Sequence, residues 1–96
     1  MARYIALLKF TEQGAKNIKK STARAHNFDK LAAQSGVKVE GQYWTMGRYD
    51  GVLILNASNE QEILHLLAAL ASLGNVRTET MQAFVDSEFE AIAGKA

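Results

Sequence analysis

Apolar side chains recur along this chain with two different periods, and the points where one period gives way to the other mark its elements. Arg3 to Phe10 is dense in Tyr, Ile, Leu and Phe and closes on Thr11-Glu12-Gln13-Gly14, which predicts a strand followed by a turn. From Ala15 to Gln34 the apolar positions Ala15, Ile18, Thr22, Ala25, Phe28, Leu31 and Ala32 fall at the three-and-four spacing of one helical face. Gly36 then sits where a left-handed terminator is wanted. Ser21, a competent N-cap in mid-segment, predicts a break, with the main helix running from about Thr22. Val37 to Met46 and Tyr49 to Ala57 are β-rich runs separated by Gly47-Arg48, the spacing of a two-residue hairpin. That register sets Met46 opposite Tyr49, Trp44 opposite Gly51 and Gln42 opposite Leu53. Ser58-x-x-Gln61 reads as a capping box, with Glu60 and Glu62 in the first turn, where the helix dipole favours negative charge. The stripe Ile63, Leu66, Leu67, Leu70 and Leu73 follows, and Gly74 closes that helix. Val76 to Val85 predicts a fourth strand, and Ser87 to Ile92 a last helical turn.

The resulting order is β-α-β-β-α-β, an α+β, ferredoxin-like arrangement in which two helices cover one face of a four-stranded antiparallel sheet. It is expected to occupy residues 1–96 as a single domain. A solvated second face would demand strict alternation of apolar and polar positions, and the two strands this topology places at the centre do not alternate. Tyr4, Ala6, Leu8 and Phe10 point one way while Ile5 and Leu7 point the other, and Leu53 and Leu55 oppose Val52 and Ile54. Two helices cannot cover both sides, so the pattern predicts a second copy packed sheet to sheet, a homodimer or higher oligomer.

Composition agrees with that surplus: 48% of 96 residues are apolar, a large supply for one small core. With no cysteine, disulfides, thiolate nucleophiles and cysteine-held metal centres are excluded. The apolar run from Leu66 to Leu73 is too short to span a bilayer, and the N-terminus carries no cleavable leader pattern, so a cytoplasmic protein with no membrane partner is expected. The formal charge of +1 argues against a nucleic-acid partner, yet it is a cancellation. Residues 1–50 hold nine basic and four acidic side chains, a net of +5; residues 51–96 hold two and six, a net of −4.

Two further stretches carry a resemblance. Tyr43-Trp44-Thr45-Met46-Gly47-Arg48-Tyr49-Asp50 and Gly74-Asn75-Val76-Arg77-Thr78-Glu79-Thr80-Met81-Gln82-Ala83-Phe84 resemble the hairpin and last strand of the GYD-domain family, as do Thr11 to Gly14 and Lys19 to Arg24. The name-giving triplet reads Gly47-Arg48-Tyr49-Asp50 here, and a proline common in the family near Thr22 is missing. The resemblance implies a ferredoxin-like protein similar to the dimeric α+β barrels. It implies no reaction, because that group holds enzymes, haem binders and plain ligand-binding proteins alike.

Among the residues themselves, Lys16, Lys19, Lys20, Arg24 and Lys30 form a basic cluster in the first helical segment, opposed there by Asp29. It suits either a solvated face that complements the acidic Asp86, Glu88 and Glu90, or recognition of a small anion, with Arg24 giving a bidentate fork and Lys19 a point charge. By strand parity Trp44 and Tyr49 share one face, and Tyr43 and Asp50 the other. Asp50 is a candidate carboxylate base or salt-bridge partner for Arg24 or Arg77. Thr78 and Thr80 share a face of the last strand and could bind polar ligand atoms. His26 and His65, one per helix, form no metal-ligand pattern, and no metal or cofactor is expected. The residues open two functions. One is a homo-oligomer that binds, or binds and transforms, a small anionic organic ligand between helices and sheet through Lys19, Arg24, Tyr43, Asp50 and Thr80. The other is a structural or protein-interaction module with no small-molecule site. An RNA-binding sheet is disfavoured because Gly51-Val52-Leu53-Ile54-Leu55 offers bases nothing to stack on.

Overall fold

A computed structural model describes residues 2–95. Strands β1 (Ala2–Phe10), β2 (Lys38–Trp44), β3 (Gly51–Ala57) and β4 (Val76–Ala83) form one antiparallel sheet in the order β2-β3-β1-β4. Helices α1 (Glu12–Lys16) and α2 (Ser21–Gln34) connect β1 to β2, α3 (Glu60–Ser72) connects β3 to β4, and α4 (Asp86–Ala93) follows β4. The α+β, β-α-β-β-α-β arrangement read from the periodicity is therefore the fold. No described helix is long and apolar enough to cross a membrane.

The inward positions of the central strands bury as the alternation predicts. Tyr4, Ala6, Leu53 and Leu55 pack under Phe28 and Ala32 of α2 and Ile63 and Leu66 of α3, closing one core between sheet and helices. Gly36 and Gly74 adopt φ of 78° and 79°, the left-handed conformation a side chain disfavours, and each ends the helix before it.

Local differences from expectation have local causes. The break in the first helical segment is real: α1 ends at Lys16 with Asn17 as its C-cap, a 3-10 turn spans Ile18–Lys20, and α2 starts at Ser21. Ser21 does not cap it, however, because its hydroxyl is the acceptor for another element, the Trp44 indole. On α3 the cap is Asn59, whose Oδ1 accepts the Glu62 N–H at 2.9 Å, one residue past the expected Ser58. The amide side chain reaches the first-turn N–H from there, while Glu62 returns to the Ser58 N–H at 3.1 Å. The hairpin keeps the expected pairs Trp44–Gly51 and Gln42–Leu53, but both strands stop there. Residues 45–50 form a wider loop that replaces the tight turn, closed by Thr45 N–H to Asp50 C=O at 3.0 Å, with Gly47 at φ 102°.

One junction ties the helices to the sheet. Thr11 caps α1 by accepting the Gly14 N–H at 3.1 Å, donates its hydroxyl to Gly74 C=O at 2.6 Å, and gives its backbone N–H to Asn75 C=O at 3.1 Å. Gly14 is what allows the approach, since a Cβ there would lie 2.0 Å from the Asn75 carbonyl oxygen.

Candidate functional site

At the end of the sheet where β1 and β4 meet the β2–β3 loop, α2 and the tail of α3 leave a cleft of about 90 Å³. Its floor is apolar, with Phe10, Phe28, Leu53, Leu70 and Val76, and its polar groups come from Arg24, Gln42, Asp50 and Asn75. Trp44 stands at the mouth, half exposed, and its Nε1–H reaches the Ser21 Oγ on α2 at 2.9 Å, so the indole bridges strand and helix. A cavity of this size is well below the roughly 300–1,000 Å³ of ordinary ligand pockets.

The charged groups on its wall already serve the backbone. Asp50 Oδ2 accepts the Phe10 N–H at 2.8 Å, and the Asp50 N–H reaches Leu8 C=O at 2.8 Å. Because β3 pairs with β1 only as far as Gly51, Phe10 would otherwise lack a partner on that side; the carboxylate stands in for the missing strand carbonyl. No salt bridge to Arg24 or Arg77 forms among the described residues, contrary to the expectation for Asp50. Arg24 sends Nη1 to Asn17 C=O at 2.7 Å and Nη2 toward Gly14 C=O at 3.4 Å. Its fork thus ties α2 to carbonyls on either side of the end of α1, the Asn17 one also accepting the Lys20 N–H at 3.0 Å. Of the remaining sequence candidates, Tyr43 touches the cleft rim from edge strand β2, but it pairs with Val52 and turns its ring to the outer face of the sheet beside Ile54, more than half exposed. Lys19 lies exposed on the 3-10 turn, outside the cleft lining. Thr80 lies on the helix-facing side of β4 opposite Ala6, also outside the cleft, and its buried Oγ1 has no hydrogen-bond partner.

Strand parity failed in the hairpin because the strands end before it. Trp44 and Asp50, expected on opposite faces, share the cleft, while Tyr49 crosses to the other face of the sheet and donates its hydroxyl to Glu79 Oε2 at 2.5 Å. That carboxylate, by accepting the proton and by its charge, holds the Tyr49 phenol above its ordinary range, with desolvation adding to the effect. Asn75 and Leu73, which also line the cleft, were not among the site residues expected from the sequence. Their signal was present in the Gly74 terminator, which turns the chain there toward the end of β1.

The face of the sheet away from α2 and α3 is the larger candidate. Cross-strand pairing sets Ile5 beside Ile54 and Met81, and Leu7 beside Val52, so the centre of this face is apolar across three strands. Charges stand at its two ends: Arg3 pairs with Glu40 at 3.3 Å at one, and Lys9 neighbours Arg77 at the other. Helix α4 does not cover it, as it buries no residue and leaves Phe89 62% and Ile92 52% exposed.

The sequence profile of the GYD domain matches residues 4–93. The chain belongs to the GYD domain family. A GYD-type relative from Thermus thermophilus, named glutamine synthetase and cystathionine beta-lyase binding protein, is 32% identical over 84 residues, 86% of this chain and 88% of that protein. The fold of the GYD chain recurs in the crystal structure of a Thermus thermophilus protein, with TM-score 0.58 and 23% identity over 88% of this chain and 95% of that one. It recurs again in a hypothetical protein from Pyrococcus horikoshii, with TM-score 0.57 and 17% identity over 90% and 93%.

Proposed function

We propose that this GYD-domain protein is a homo-oligomeric protein-binding module that pairs through the outer face of its sheet and docks on a metabolic enzyme. The observation that carries the reading is the apolar centre of that face, Ile5, Leu7, Val52, Ile54 and Met81, which neither α2, α3 nor α4 covers. The name of the Thermus relative supports the second half, since it describes a protein that binds glutamine synthetase and cystathionine beta-lyase. The small cleft, with its arginine and carboxylate engaged by backbone groups, supports the same choice.

The test measures the mass of the purified chain in solution by light scattering, then its binding to purified glutamine synthetase and cystathionine β-lyase on a sensor surface. Dimers at micromolar concentration and saturable binding to either enzyme are expected. A monomer that binds neither enzyme overturns the proposal.

A second reading has one specific observation in its favour, the cleft itself, walled by Arg24 and Asp50 and rimmed by Tyr43. In it the cleft widens by displacement of Trp44 and takes a small anionic organic ligand. Arg24 releases its carbonyls to grip the anion, Lys19 approaches from the 3-10 turn, and the unpartnered Thr80 hydroxyl waits deeper under the helices. Native mass spectrometry checks for a co-purified small molecule, and an empty protein with full enzyme binding removes this reading.

A further inference from the structure

Helix α4 is the one helix of the described chain that follows the sheet without packing onto it. Phe84 and Val85 alone link it to β4, and every residue of the helix is exposed, so it leaves the sheet instead of folding back over it. The molecule is accordingly long, 48 Å by 31 Å by 17 Å. Its radius of gyration of 14.4 Å exceeds the roughly 12.5 Å expected of a compact chain this size.

The helix is nevertheless built to be covered. Val85, Phe89 and Ile92 recur at four-and-three spacing, a single apolar stripe, and the three are 40%, 62% and 52% exposed. Asp86, Glu88 and Glu90 flank it, and no basic residue lies within the helix. Glu88 is committed at the N-terminus, where its Oε1 accepts the Val85 N–H at 2.9 Å, so the helix is well started without any tertiary support.

We infer that α4 of one copy packs against the outer sheet face of a second copy, its apolar stripe on Ile5, Ile54 and Met81 and its acidic flanks toward Lys9 and Arg77. Charge chooses this occupant. The face carries Arg3, Lys9, Lys38 and Arg77 against Glu40 and Glu79, a net of +2, while α4 carries −3. Lys9 and Arg77 are exposed neighbours with no salt bridge among the described residues. An apolar, acidic helix and an apolar, basic face lie on the same chain, and the helix does not lie on its own face. A second copy joins them at both ends of a two-fold. The inference rests on the reading that the outer face pairs copies, and adds the element that does the covering.

Because the chain has no cysteine, single cysteines report contacts cleanly. Full-length Ile92→Cys and Met81→Cys proteins are mixed, oxidised and analysed for the mixed disulfide; both positions are exposed, so neither substitution removes a core side chain. The expected result is a mixed disulfide dominating over either homodimeric product. In parallel, Phe89→Ser/Ile92→Ser should weaken self-association by at least about tenfold while leaving the circular dichroism of the monomer unchanged, since a tenfold change in an equilibrium constant is what about 1.4 kcal/mol supplies. If Met81→Cys homodimers dominate and the serine variant associates like the parent, while Ile54→Glu dissociates it, α4 is not the cover and the face-pairing reading stands. If the parent chain is itself monomeric, both fall together.

Discussion

Replacing Gly14 by alanine sets local helix propensity against tertiary fit, and the two predict opposite signs. Within a helix alanine is favoured over glycine by about 1 kcal/mol, so propensity alone makes Gly14→Ala stabilising. In the fold, a Cβ at residue 14 lies 2.0 Å from the Asn75 carbonyl oxygen, about 1 Å inside the closest approach such atoms tolerate, and the obstacle is backbone. Either α1 or the turn after α3 must give way. The same carbonyl accepts the Thr11 N–H, and the adjacent Gly74 carbonyl accepts the Thr11 hydroxyl, so a shift of that size breaks both bonds. Overpacking costs about 1–3 kcal/mol, and each lost hydrogen bond about 1 kcal/mol. Against a propensity gain of about 1 kcal/mol the net is a destabilisation of about 2–4 kcal/mol. Thermal unfolding at fixed protein concentration reads it as a melting point lowered by about 8–32 °C, at about 4–8 °C per kcal/mol for a domain this size. A variant as stable as the parent, or more so, would refute the account of the Thr11 junction.

Other substitutions separate the roles around the cleft. Asp50→Ala leaves the Phe10 N–H without its acceptor and should cost about 1–3 kcal/mol in urea unfolding, with Asp50→Asn recovering much of it because an amide oxygen still accepts. Trp44→Phe removes the indole donor to Ser21 and should cost about 1 kcal/mol. Trp44 is the sole tryptophan of the chain, so its fluorescence in the parent also reports any ligand entering the cleft. Tyr49 should ionise above the ordinary tyrosine range, followed by ultraviolet absorbance, and Glu79→Gln should bring it back down. Its folded-state pKa is the raised one, so the stability it contributes is complete below the unfolded value near 10 and is lost as pH climbs beyond. Tyr49→Phe should therefore flatten alkaline unfolding in that window.

Periodicity was enough to read the elements and their order, because the residues that end helices here act through their own conformation. Gly36 and Gly74 need a positive φ whatever surrounds them, and both did what their positions in the chain implied. The two-sided apolar character of β1 and β3 was legible for the same reason: alternation is a property of the strand alone. What could not be read were choices between partners distant in sequence. Ser21 could cap a helix or accept from Trp44, and only the packing of β2 against α2 decides it. Asp50 could pair with a cation or with a backbone N–H, and the early end of β3 decides for Phe10. Arg24 looked free to grip an anion, but the turn after α1 brings the Asn17 and Gly14 carbonyls within reach of its guanidinium. The stripe of Val85, Phe89 and Ile92 was visible in the letters, but that nothing in the same chain would cover it became plain only with the direction in which α4 leaves β4.

The pairing irregularity between Val39 and Gly41 has a consequence for what this molecule can build. The sheet has two outer strands, β2 and β4, and each presents an unpaired row of backbone groups to anything that could extend it. On β2 the register shifts at Glu40, which interrupts the row in the middle of a seven-residue strand. On β4 the row runs unbroken for eight residues. The two edges are therefore unequal templates: strand addition is hindered along β2 and open along β4, which biases edge-to-edge contact toward pairs joined through β4.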